Sequence, residues 1–86
     1  MMTIEYLEAK TVDIREKIRD AQYWINQRMY STAEVKLQDA EKMYVEIDEL
    51  LGTNKDDRKI AEPYITPVQN GLRATRLMLE EVRSAR

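Results

Sequence analysis

The chain has no cysteine, no histidine and no phenylalanine, and only two glycines and two prolines in 86 residues. Without cysteine there is no disulfide framework, no thiolate zinc site and no thiol nucleophile. Without histidine, Ser-His-Asp and Cys-His catalysis, imidazole general bases, histidine-ligated haem and the E-x-x-H di-iron helix are excluded by inventory. The scarcity of glycine and proline argues against a β sandwich or a disordered linker and for long helices. No apolar run approaches the roughly 18 residues a membrane span needs, and Met1-Met2-Thr3-Ile4-Glu5 lacks the basic start of a targeting segment. The composition therefore points to a cytoplasmic protein with no membrane segment.

What is present is charge, at 35% of residues, and apolar side chains, at 43%. The 14 basic and 16 acidic residues nearly cancel, so the global field that would gather nucleic acid is missing. Charge is unevenly placed, however: acids predominate over residues 31–62 and arginines over residues 63–86. That asymmetry suits two helices lying against each other. A chain of this length is one domain, residues 1–86, with a single core.

The apolar residues step by three and four in three runs. The first is Ile4, Leu7, Thr11, Ile14, Ile18, Ala21, Ile25, and the second is Ala33, Leu37, Ala40, Tyr44, Ile47, Leu51. The third is Ala61, Ile65, Val68, Leu72, Thr75, Leu79, Val82. Such spacing keeps one stripe of each helix against its neighbours and predicts an all-α fold, an antiparallel three-helix bundle.

Thr3 is the expected cap of a first helix over residues 3–29, with Glu5 near its positive end. Ser31-Thr32-Ala33-Glu34 has the form of a capping box, which predicts a second helix over 32–51 after a tight turn, with Gly52 supplying its C-terminal turn. Pro63 and Pro67 each remove a backbone donor, and Thr66-Pro67-Val68-Gln69 resembles a further capping box. The expected last helix is therefore 67–84, preceded by a short helical turn at 54–62. The alternative is one kinked helix from Lys55 to Ser84, because Ala61 and Ile65 keep the same phase across both prolines.

The charges supply a test of register. Glu34 and Glu41 flank the core stripe of the second helix, and Arg76 and Arg83 flank that of the last. An antiparallel pairing of Glu34 with Arg83 and Glu41 with Arg76 also brings the two apolar stripes together.

The spacing Tyr30-x-x-Ala33-x-x-x-Leu37-x-x-Ala40 resembles the second-helix signature of a tetratricopeptide repeat, and three-helix microtubule-interacting-and-trafficking domains look like a related arrangement. The resemblance covers barely a quarter of the chain and would imply peptide binding. The same spacing also arises in any tightly packed helical hairpin.

No constellation carries catalysis. Glu80-Glu81 and Asp56-Asp57 are adjacent pairs whose side chains diverge on a helix, and Glu46, Asp48 and Glu49 lack the glycine-punctuated ladder of a calcium loop. Gly52 and Gly71 are isolated and form no phosphate cradle. Arg73, Arg76 and Arg83 form a basic strip, but helix pairing and the helix dipole account for it better than nucleic acid does. The expectation is no enzyme, no cofactor, no metal, no small-molecule substrate and no nucleic acid.

Two windows are poor in charge: Ala21 to Ala33 holds only Arg28, and Pro63 to Leu72 holds none. The first gathers Tyr23, Trp24 and Tyr30, and uncharged aromatic surface marks the centre of protein interfaces. Tyr23, Trp24, Tyr30 and Val35 are therefore the partner-binding candidates. By phase, Trp24 flanks the core, Tyr23 lies on the outer face, and Tyr23 and Val35 approach across the first hairpin. The function expected is a non-enzymatic protein-interaction module, such as a small regulator or assembly factor, with a structural homo-oligomerisation domain as the alternative and a nucleic-acid-binding regulator ranked after it.

Overall fold

The computed structural model describes residues 3–85, in three α-helices: α1 (Ile4–Asn26), α2 (Tyr30–Leu51) and α3 (Lys55–Ser84). All three pairs of helices pack together. The resulting rod measures 45 × 19 × 17 Å, and the 30 residues of α3 account for its whole length at a rise of about 1.5 Å each. Ion pairs that descend one helix as they climb the other make α1 and α2 antiparallel: Lys17 with Asp39, and Asp20 with Lys36. The same holds for α2 and α3, while Tyr64 to Glu8 and Gln22 to Thr75 run in parallel between α1 and α3.

The core follows the three predicted stripes closely. Leu7, Ile14, Ile18, Ala21 and Ile25 of α1 meet Ala33, Leu37, Ala40, Ile47 and Leu51 of α2, and Ala61, Val68, Leu72 and Leu79 of α3 complete the cluster. Ala21, Ala33 and Ala40 are wholly buried, which lets α1 and α2 approach closely. Tyr44, Ile65 and Val82 are half-buried at its edge. Ile4, expected to begin the first stripe, is instead exposed at the end of the rod, where no helix continues to cover it. The two buried hydroxyls are satisfied. Thr11 donates to the Glu8 carbonyl, and Thr75 donates to the Gly71 carbonyl while accepting from the Gln22 amide.

The expected α2–α3 register is the one observed. Arg76 donates to Glu41, with Nε 3.2 Å from Oε2, and also to Glu34 Oε1 at 2.7 Å; Arg83 reaches that same oxygen at 2.8 Å.

Helix ends differ more from expectation. Thr3 caps α1 by accepting from the Tyr6 amide. The helix stops at Asn26 rather than running to residue 29, because Arg28 adopts a left-handed φ of 61°. The Arg28 amide then bonds the Ile25 carbonyl and the Met29 amide bonds the Trp24 carbonyl, the two bonds of a Schellman motif with arginine where glycine is usual. α2 consequently begins at Tyr30, and the Ser31–Glu34 capping box does not form. Ser31 already lies inside the helix, and Glu34 turns to the two arginines of α3.

The second correction concerns α3, which is continuous through Pro63 and Pro67, so that Thr66 is a mid-helix residue and no cap. Both prolines are exposed and lie four residues apart on one side. The carbonyls of Lys59 and Pro63, which lose their amide partners, therefore sit beside solvent. Breaking the helix there would interrupt a phase that buries Ala61 and Val68 and half-buries Tyr64 and Ile65. Losing two solvent-side hydrogen bonds costs less than giving up that burial. The helix starts where Asn54 accepts from the amides of Asp56 and Asp57.

Candidate functional site

The four sequence candidates do not share one environment. Trp24 and Tyr30 are half-buried and pack against the core. The Trp24 indole nitrogen is enclosed without a hydrogen-bond acceptor, a cost of about 1–3 kcal/mol that the packing of the ring must offset. Tyr23 is 53% exposed, and its ring meets Trp24 edge to face with centroids 5.1 Å apart. Val35 is 63% exposed on α2, beside a shallow depression shared with Val45, Gln38 and Lys42. Tyr23 and Val35 each lie opposite the core stripe of their own helix, so helical phase turns them outward in diverging directions. The expected approach across the hairpin therefore does not follow from the architecture; Trp24 and Tyr30 are half-buried, whereas Tyr23, Asn26, Gln27, Met29 and Ser31 of the same charge-poor window are exposed.

Between these helices the electrostatics are structural. Glu34 is only 19% exposed and faces two guanidinium groups. The hydrogen bond from Arg76 holds its carboxyl below the ordinary range, against burial that pushes it up; the charges of Arg76 and Arg83 act in the same direction as the bond. Arg76, bonded to Glu41 and Glu34, is held protonated. On the α1–α2 flank the Lys17 ammonium lowers Asp39. No nucleophile with an adjacent base is assembled in any of these groups, and among the described residues no cluster of carboxylates could hold a metal ion.

A different feature appears at the opposite end of the rod, where α1 begins, α2 ends and α3 begins. An open groove of about 350 Å³ lies between these three elements. Its walls are Ile4 and Leu7 from α1, Leu50 and Leu51 from α2, and Ile60 and Ala61 from α3, with Thr3 and Asp57 at the rim. Leu7, Leu51 and Ala61 form the buried floor, whereas Ile4, Leu50 and Ile60 stand 48%, 61% and 58% exposed. Three large aliphatic side chains thus stand at that level of exposure around one concavity.

The local chain builds this end deliberately. Gly52 takes a φ of 62° that lets α2 stop, and Arg58 then locks the junction. Its guanidinium donates to the Gly52 carbonyl at 2.6 Å, to the Asp48 carboxylate at 3.0 Å and to the Asp48 carbonyl at 3.3 Å. The clamp binds the carbonyls of Asp48 and Gly52 at the end of α2 and fixes where Ile60 stands relative to Leu50. Sequence reasoning did not single out Leu50 or Ile60. The available signal was the pair of apolar doublets, Leu50-Leu51 and Ile60-Ala61: adjacent residues on a helix lie about 100° apart, so only one of each pair can face the core squarely.

Among the described residues no helix is long and apolar enough to cross a membrane. No protein-family model matches this sequence, and neither the curated proteins nor the solved structures contain a significant match to it. In the tetratricopeptide-like spacing of α2, Ala33 and Ala40 are buried in the core of the bundle.

Proposed function

We propose that the chain is a non-enzymatic protein-interaction module, a small regulator or assembly factor, that receives the apolar side chains of a partner protein in the groove at its open end. The observation that carries this reading is the convergence of exposed Ile4, Leu50 and Ile60 around one concavity. Buried aliphatic anchors entering such a pocket, inside a polar rim, are the usual centre of a protein interface. The cysteine-free composition fits a cytoplasmic setting for that role.

The test is a differential capture from the native host, comparing the wild-type chain with Leu50→Lys/Ile60→Gln and with Tyr23→Ala. A partner lost by the first variant and retained by the second supports the groove. Titrated into isotope-labelled protein, it should shift the amide resonances of residues 3–7, 50–51 and 57–61. Retention of every captured protein by the groove variant, or shifts centred on Tyr23 and Val35, would overturn the assignment.

A further inference from the structure

The outer surface of α3 carries a second stripe with the spacing of a helix–helix seam. Ile60, Pro63, Pro67, Asn70, Ala74 and Leu77 follow one another at intervals of three and four residues, the same intervals that place Ala61, Val68, Leu72, Thr75 and Leu79 in the core. Every member of the outer stripe is exposed. None is charged, in a chain where 35% of residues are. The outer faces of the other two helices carry charge among their apolar residues: that of α1 presents Asp13, Glu16 and Arg19 beside Tyr23, and that of α2 presents Lys42 and Glu49 beside Val35 and Val45.

The stripe is also self-complementary. Asn70 lies near its centre, and in an antiparallel arrangement about a two-fold axis at Asn70, Pro63 faces Leu77 and Pro67 lies beside Arg73 and Ala74. The flanking charges agree. Lys59, Thr66, Arg73 and Glu80 run along one side of the stripe at intervals of seven. In the antiparallel arrangement Lys59 of one copy meets Glu80 of the other and Arg73 meets Thr66. A parallel arrangement would instead set this side of the stripe against the other flank, Tyr64, Gly71 and Met78, and leave Lys59 and Glu80 without charged partners across the seam. A single polar residue inside an otherwise uncharged seam is a device that fixes register, here through pairing of two Asn70 amides across the axis.

We infer that the outer face of α3 is a self-association surface, on which a second copy of this chain packs antiparallel with its two-fold axis at Asn70. This surface is distinct from the end groove except for Ile60, which belongs to both and is left out of the test. The seam is one helix wide, so it buries less than the roughly 800 Å² per partner of a standard stable interface and forms a weak, concentration-dependent dimer.

Sedimentation equilibrium of the full chain, from micromolar to millimolar concentration, should show the mass rising from 10.2 kDa toward twice that value. Ala74→Glu should weaken the dimer at least about tenfold, because it sets a buried charge against an apolar seam. Lys59→Glu should weaken it by a smaller factor, and the swap Lys59→Glu/Glu80→Lys should restore it. Circular dichroism monitors each fold, and if Ala74→Glu loses helix the charge swap decides. Because the chain has no cysteine of its own, Asn70→Cys should cross-link between copies under mild oxidation, whereas Val35→Cys on α2 should not. A chain that stays monomeric throughout, a dimer indifferent to Ala74→Glu, a swap that fails to rescue, or equal cross-linking at both positions overturns the proposal.

Discussion

At one end of the rod α1 turns into α2 through Gln27, Arg28 and Met29, with Trp24 and Tyr30 folded against the core and Arg83 of α3 donating to the Tyr30 carbonyl. At the other end α2 passes to α3 through Gly52, and Ile4, Leu50 and Ile60 stand out around an open groove. In the sequence the hairpin end looks like the binding end, because it is aromatic and nearly free of charge. Low charge accompanies burial as readily as it accompanies recognition, and at this end Trp24 and Tyr30 are half-buried while Tyr23 and Met29 stay exposed. The apolar groups left uncovered at the groove end lie among Glu49, Lys55, Asp56, Asp57 and Lys59, where local charge density hides them.

If the hairpin end serves stability, its largest test is Trp24. Trp24→Ala should cost about 3 kcal/mol in urea denaturation, the low end for loss of a core aromatic, while Trp24→Phe should be close to neutral. Phenylalanine keeps most of the ring and removes an indole donor that has no acceptor. A neutral Trp24→Ala would make the two ends alike.

The ion pairs sharpen the same contrast. Arg76→Ala deprives Glu34 and Glu41 of their shared partner and should cost about 2 kcal/mol. Arg58→Ala at the open end breaks a more exposed clamp and should cost under about 1 kcal/mol. The Glu34 carboxyl is lowered in the folded chain, so its contribution is full above the unfolded carboxylate pKa of about 4.3 and disappears as pH falls through the lower folded value. Thermal melts between about pH 5 and pH 3 should therefore fall more steeply for the wild type than for Glu34→Gln.

The two turns carry the comparison into the backbone. Gly52→Ala should destabilise by about 1–2 kcal/mol, for backbone reasons alone, since nothing lies within 4 Å of the added carbon. Arg28→Gly should stabilise by about 0.5–1 kcal/mol, because it relieves an arginine of its left-handed conformation. Opposite signs from the two substitutions would confirm that one turn has the residue its backbone asks for and the other does not.

Much of this molecule could be read in advance. The stripes from Leu7 to Ile25 and from Ala33 to Leu51, the Thr3 cap, the positive φ of Gly52 and the Glu41–Arg76 register follow from local spacing and pairing, and the structure has all of them. Two local rules lost to longer-range ones. Pro63, Pro67 and Thr66 spell a helix break, yet the buried phase of Ala61 and Val68 carries α3 through it. Ser31 and Glu34 spell a capping box, yet Glu34 finds two arginines from another helix. Arg28 carries no signal for a left-handed turn, since no residue preference marks it. The exposure of Leu50 and Ile60 depends on where three helices end relative to one another, which no single periodicity encodes.

If the open end is a docking groove, as proposed, its exposed side chains contribute little to folding. The most direct measurement is the urea denaturation midpoint and slope of Leu50→Lys/Ile60→Gln against the wild type. An unfolding free energy within about 0.5 kcal/mol per substitution is expected, the range of surface replacements. A loss of more than about 2 kcal/mol would place Leu50 and Ile60 within the stabilising core and contradict the account.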